Sequence, residues 1–326
     1  MKSSPAISSL RNRGVTLVEI MVALAIGSFL LIGALQVYSQ SREAYVVNES
    51  IARVQETAQF AMDTLEADVR MASNFGLQSR GFAISGRSLE TNGNPKNLPL
   101  PTTCGEAWSI DLDRPIEGTN NGYMLPCPAS GGAQPRSDSL TVRRTTVERS
   151  PPAAGRLQVQ STRIAGELFS DGILPAGFDP VLSETHDLLV NTYYVAADSS
   201  LIPGTPALRR KMLTSINGTP AIVDQEIAPG VENLQFQFGV DIDGDNTVDR
   251  YVNPGDPVID PAAISYIADA RIITARIWLI IRSVSPEIGI QDNRSYAPGD
   301  VSLGMFADQY RRMQVSKTVL LRNART

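Results

Sequence analysis

The sequence predicts an α+β fold, one long N-terminal helix packed against a C-terminal antiparallel β-sheet head, and three observations lead to it. From Ile20 to Ser41 there are 22 positions without a charged side chain. No proline interrupts the chain between Pro5 and Pro95. From residue 138 onward, short stretches alternate apolar and polar residues with the period of two that a half-buried strand requires. A helix followed by many strands is the arrangement in which a sheet wraps one face of the helix.

The first element is a membrane helix with an early start. The apolar run of residues 15–41 is long enough to cross ~30 Å of hydrocarbon. Lys2, Arg11 and Arg13 precede it and no acid does, so the positive-inside tendency leaves the N-terminus in the cytoplasm and exports the rest. An ordinary secretory signal would carry a shorter apolar stretch followed by a small-residue cleavage site. Here the better candidate for cleavage, Gly14, lies before the run. Glu19 breaks the apolar pattern, and an ionised side chain in lipid costs at least ~2.5 kcal/mol. Glu19 either snorkels to the headgroups or has a partner. Cleavage after Gly14 would create an ammonium group at Val15, four residues away on the same helical face. Glu19 would also favour the positive end of the helix dipole. In a helical assembly, Glu19 of one subunit could meet the Val15 ammonium of its neighbour and fix their axial register.

The octapeptide Arg13-Gly14-Val15-Thr16-Leu17-Val18-Glu19-Ile20 resembles the class III leader of type IV pilins and type II secretion pseudopilins. That resemblance implies a pilin-like fold. It also implies a 1–14 leader removed by a prepilin peptidase, N-methylation of Val15, and Glu19 as the assembly charge. Val15 stands where the family usually has Phe, and Gln36 lies near where major pilins often have a kinking Pro.

Residues 42–75 continue the helix with an amphipathic pattern. Val47, Ile51, Val54, Ala58, Ala61, Leu65, Val69 and Ala72 recur at steps of three and four among charged and amide residues. Asn74 and Gly76 supply a stop. A helix from Val15 to about Ser73 would be ~88 Å long at 1.5 Å per residue. The small residues of the stripe favour close packing on a sheet over a separate coiled-coil stalk. The head, residues 76–326, opens with a Gly-, Asn-, Pro- and Ser-rich stretch to about residue 135 that reads as long loops. It holds Cys104 and Cys127, which in an exported domain form a disulfide, the alternative being two free thiols. Strands follow at Leu140–Val142, Leu157–Val159, Leu188–Ala197 and Leu234–Val240. In the next, Ile273, Ala275, Ile277, Leu279 and Ile281 form one face, and a last strand runs through Met313 to Leu321. Trp278 reads as packing or as a partner contact.

Several head segments resemble the PilW minor pilins: Tyr193-Tyr194-Val195, Leu208-Arg209-Arg210-Lys211, Gly230 to Gln235, Asp241 to Val252, and Thr318 to Asn323. What this implies is a minor pilin in a tip or priming complex that starts polymerisation and supports adhesion, twitching motility or DNA uptake. Its partners would be other minor pilins, the major pilin, the prepilin peptidase, the inner-membrane assembly platform and a tip adhesin. PilW in turn resembles the J-type minor pseudopilin of type II secretion, the second reading. A third is a single-pass anchored periplasmic binding domain with an uncleaved N-terminus.

The most chemical-looking segment is the acidic loop Asp241-Ile242-Asp243-Gly244-Asp245-Asn246-Thr247-Val248-Asp249. Asp241, Asp243, Asp245 and Asp249, with a carbonyl at Thr247, have the oxygen spacing of a calcium loop, and a hard cation would relieve their mutual repulsion. Asp, Gly and Asn are equally what an acidic hairpin turn uses. Val252 at the twelfth position cannot be the bidentate Glu of an EF-hand. Other chemistry finds few residues. His186 is the only histidine, read here as a partly exposed side chain, so neither a zinc site nor a Ser-His-Asp triad is well supplied and no enzyme is expected. The longest run of basic residues is Arg209-Arg210-Lys211 and the net charge is −5, which gives no positive stripe for nucleic acid.

Overall fold

The structure is a computed structural model that describes residues 14–88, 93–260, 263–267, 269–287 and 289–325. Lys2, Arg11 and Arg13 of the leader lie outside the described residues. Helix α1 runs Leu17–Arg70. The chain divides into two compact units, one ending at Ser50 and the other beginning at Ile51.

In the first unit the helix is apolar on every side from Ile20 to about Tyr38, and its large apolar side chains are exposed. Leu17, Phe29 and Leu30 are among its many exposed large side chains, and the segment is long and apolar enough to cross a membrane. The Ser28 hydroxyl donates back to the Leu24 carbonyl at 2.7 Å, which satisfies the hydroxyl without water.

In the second unit the helix shows a single stripe. Val54, Ala58, Ala61, Met62, Leu65 and Val69 are buried, and Glu56, Gln59 and Asp63 between them are not. After Arg70 a turn ends the helix, with Ser73 at φ 65° in the left-handed region. The first sheet has eight strands: β1 (Ile84–Ser85), β2 (Ile116–Thr119), β3 (Ser139–Thr145), β4 (Ala154–Ser161), β5 (Gly166–Asp171), β6 (Glu184–Ala196), β7 (Ala207–Ile216) and β8 (Thr219–Pro229). It is antiparallel apart from the β1–β5 pair. Thirteen-residue β6 organises it, pairing β4 through residues 184–187, β3 through 188–193 and β7 through 191–196. The second sheet contains β9 (Val231–Asp241), β10 (Arg250–Val252) and β11 (Arg271–Arg282). A two-stranded ribbon, β12 (Ser295–Tyr296) with β13 (Gly304–Met305), precedes β14 (Arg312–Leu320), and the second sheet has the order β10-β9-β11-β14.

The main core joins the helix stripe to both sheets. Leu65 and Val69 share it with Leu140 and Tyr193 of the first sheet and with Phe236, Ile277 and Leu279 of the second. The alternating face of β11 is fully buried, from Ile273 to Ile281 at every second residue. A polar clasp is embedded in this core. Asp68 is buried; its Oδ1 accepts from Arg144 Nε and Nη2 at 2.9 and 2.5 Å, and its Oδ2 accepts from Asn191 Nδ2 and Tyr193 Oη, both at 2.6 Å. A buried carboxylate persists only when its lone pairs are filled in this way. Burial, with Asp68 alongside, pushes the Tyr193 hydroxyl far above its ordinary range, so it stays a donor.

The stretch expected to be long loops carries a second, smaller core. Phe75, Ile84, Trp108, Ile110 and Leu112 are buried with Leu157, Val159, Leu188 and Val190. Their side chains follow no period because the backbone carrying them is mostly turns, so the sequence conceals a real packing unit. His186 also departs from expectation: it is buried at 3% exposure, not half-exposed. Its Nδ1 faces the Thr146 and Glu148 carbonyls at 2.9 and 3.1 Å, and its Nε2 faces Glu184 Oε2 at 3.2 Å. An imidazole with acceptors on both sides is paired, and in this position it is a strut of the β4–β6 region.

Candidate processing and assembly sites

Gly14 and Val15 are exposed just ahead of α1, and a Cβ added at Gly14 would meet nothing within 4 Å. The backbone at the expected cut is therefore open to an enzyme. Immediately after it, Thr16 and Glu19 close on each other. Thr16 N and Oγ1 both donate to Glu19 Oε2, at 3.0 and 3.1 Å, and Glu19 N donates to Thr16 Oγ1 at 3.3 Å. This is a capping box, which satisfies backbone donors that no helical carbonyl can reach. Ile20 N bonds to Thr16 O at 3.2 Å, so the first full turn begins at Thr16. Glu19 thus has a local partner within its own chain, a role that Thr-x-x-Glu in the sequence could have signalled. Its other carboxylate oxygen, Oε1, bonds to nothing among the described residues, and remains available to a second donor.

Cys104 and Cys127 are joined as a disulfide and buried in the smaller core. The loops it staples are fixed to the first sheet by polar bonds across long sequence distances. Trp108 Nε1 donates to Thr192 Oγ1 at 3.0 Å. Arg143, 1% exposed, donates to the Trp108 carbonyl at 2.8 Å, to the Arg114 carbonyl at 2.6 Å and to Glu117 Oε1 at 2.5 Å. Tyr123 Oη donates to the Cys127 carbonyl at 2.8 Å and its ring lies 5.0 Å from that of Tyr194. Sequence reasoning did not single out Arg143, which stands beside Arg144 in the mixed strand Ser139–Thr145 with no local mark of its burial.

The acidic loop connects β9 and β10. Asp241, fully buried, accepts from Gly244 N at 2.7 Å and Asn246 N at 3.0 Å. Asp249 accepts from Ile242 N at 2.6 Å, and Asn246 takes the left-handed conformation at φ 64°. Asp241, Asp243 and Asp249 each offer a carboxylate oxygen, and these lie within 4.8 Å of one another. Oxygens on a common calcium at about 2.3–2.6 Å stand no more than about 5 Å apart, and this spacing lies within that limit. Asp245 is not in that group. It accepts from Thr247 N and Oγ1 at 2.7 and 2.6 Å, and these bonds hold its carboxyl below the usual range.

A helix with a free apolar first half and a capped acidic start, carrying a disulfide-stapled β head, defines a pilin-class subunit. Comparison with known families is consistent with that class. The model of the prokaryotic N-terminal methylation motif matches residues 9–35, and that of Type IV Pilus-assembly protein W matches residues 192–323, from within β6 to beyond β14. The two matches together support a minor pilin of the type IV pilus, similar to the PilW family over its C-terminal part. No curated protein matches it. The apolar helix and the methylation motif together fit anchoring in the inner membrane before assembly.

Proposed function

We propose that this chain is cut after Gly14, methylated at Val15, and incorporated with other minor pilins into the complex that primes and tips a type IV pilus, together with the major pilin and a tip adhesin. The observation that carries the reading is the acidic cap at the start of an uncovered apolar helix. Thr16 occupies only one of the two Glu19 oxygens. A methylated ammonium at Val15, from the same chain or from a neighbouring subunit, supplies the second bond and neutralises the charge that lipid penalises. The head stays outside the membrane, where adhesion, twitching motility and DNA uptake are decided. The family is structural, and the chain acts by being placed rather than by turning over a substrate.

The test is the mass of the N-terminal peptide of membrane-extracted protein. A methylated Val15 start is expected, and a Gly14→Val chain should retain residues 1–14 and assemble no pili. An intact Met1 start in the wild type, or normal piliation by the variant, overturns the reading. Loss of twitching in a deletion strain, with exoprotein secretion unchanged, separates the pilus from a J-type pseudopilin of type II secretion.

Calcium at the acidic loop is part of the same proposal, supported by the convergence of Asp241, Asp243 and Asp249. The head's melting temperature should rise in calcium over chelator, and Asp243→Ala/Asp249→Ala should abolish the difference. Equal shifts in both proteins would reduce the loop to a turn.

A further inference from the structure

A groove of about 570 Å³ opens beside the end of α1, within the roughly 300–1,000 Å³ range of ligand clefts. Its walls come from the segment after the helix and from the β4–β5 hairpin tip, with Arg80 and Phe82 on one side and Arg163 and Ile164 on the other. No acidic residue lines it. In a chain of net charge −5, that is a local reversal of sign.

The backbone beneath these four side chains is fixed. Phe75 N donates to Gln78 O at 2.8 Å and Leu77 N to Ser161 Oγ at 3.0 Å. Gly76 takes φ 77°, and a Cβ there would stand 2.5 Å from Ser161 Oγ. A Cβ at Gly81 would stand 1.8 Å from the Leu112 carbonyl oxygen, so the chain passes there only as glycine. Gln78, 7% exposed, ties the two walls together: its Oε1 accepts from Ser79 N at 2.9 Å and Arg80 N at 3.0 Å, and its Nε2 donates to the Arg163 carbonyl at 3.3 Å.

What this rigid frame presents is exposed and unpaired within the described chain. Neither the Arg80 nor the Arg163 guanidinium has an ion pair or hydrogen bond among the described residues, while most other head arginines are engaged. Phe82 is 63% exposed and Ile164 87%. Guanidinium forks match carboxylates in two-bond geometry, and the exposed apolar residues alongside offer a surface that an apolar side chain can cover. A lone inorganic anion would meet the first need and not the second. A preorganised frame also lowers the ordering cost of binding.

We infer that this groove is a docking site for an acidic peptide segment of a partner protein, one that brings carboxylates to Arg80 and Arg163 and an apolar side chain to Phe82 and Ile164. Apart from Asn323 the groove's lining falls outside residues 9–35 and 192–323, so it belongs to this chain's own surface and not to the region the family models match. The inference rests on the assembly role above, in which a subunit must recognise particular neighbours.

Fluorescence anisotropy with the full detergent-solubilised chain tests it, using the labelled pentapeptide Glu-Glu-Leu-Asp-Phe, its Lys-Lys-Leu-Lys-Phe counterpart and inorganic phosphate as competitor. The acidic peptide should bind, the basic one should not, and phosphate should compete weakly. Arg80→Glu/Arg163→Glu should weaken binding about tenfold or more, and Phe82→Ser severalfold, with unfolding midpoints unchanged. No binding, equal binding by the double-charge variant, or full displacement by millimolar phosphate would overturn the assignment. N-terminal processing to Val15 should be unchanged in both variants, so a failure of docking is distinguishable from a failure of the pilus reading.

Discussion

The two halves of α1 both carry large apolar residues, both lack proline, and are continuous in the backbone, yet these residues are buried in opposite ways. Upstream of Ser50, Leu17, Phe29 and Leu30 are 75%, 78% and 70% exposed; downstream of it, Ala61, Leu65 and Val69 are each 0% exposed. The upstream run is apolar all round, so no single sheet could cover it, and only an environment that surrounds it can. The downstream stripe repeats at three and four, which is the width one sheet can cover. Hydrophobic content alone does not locate a core. Periodicity does, and the change of periodicity along one helix marks where the uncovered apolar run gives way to the part packed in the head.

Substitutions on either side of that change should break or sharpen the contrast. Asp68→Ala removes the acceptor from Arg144, Asn191 and Tyr193 and leaves a largely buried guanidinium unpaired. It should destabilise the head by about 3–5 kcal/mol, read by urea unfolding of the detergent-solubilised chain through Trp108 and Trp278, both of which lie in the head. Leu24→Ala in the same assay should leave the midpoint where it was; a comparable loss would mean the upstream half is packed after all.

A smaller effect comes from Asp138, 1% exposed, whose oxygens accept from Asn121 N at 2.7 Å and Phe236 N at 2.8 Å. Burial pushes its carboxyl up to about 7, against the opposing pull of those two bonds. The folded state therefore holds a proton that the unfolded chain has released above about pH 4, and stability falls as pH rises through 7. Between pH 5 and 8 the head should lose about 2 to 3 kcal/mol from this group, a slope that Asp138→Asn should flatten while Leu24→Ala leaves it intact.

Much of this architecture was legible because it is local. The uncharged run, the stripe from Val54 to Val69 and the alternating faces of β9 and β11 each declare themselves within a dozen residues. The cysteines could be paired because there are only two. What was not legible depends on residues far apart in sequence. Arg143 is satisfied by Trp108, Arg114 and Glu117, and His186 by Thr146, Glu148 and its near neighbour Glu184. The aperiodic stretch from 77 to 135 read as loop because its buried residues sit on turns, where no spacing advertises burial. In the acidic loop, spacing suggested four aspartates acting alike. The fold separates them, turning Asp245 onto Thr247 and bringing the other three together.

Both members of the pair that opens α1, Thr16 and Glu19, lie on the far side of Gly14 from the leader. The bonds that close the first turn are therefore made entirely by residues that cleavage after Gly14 would leave in the chain. After the proposed cut the Thr16–Glu19 cap would remain in place, and the tip would gain a charged amine. Under the proposed maturation, the hydrogen bonds that open the helix would be the same on both sides of the cut.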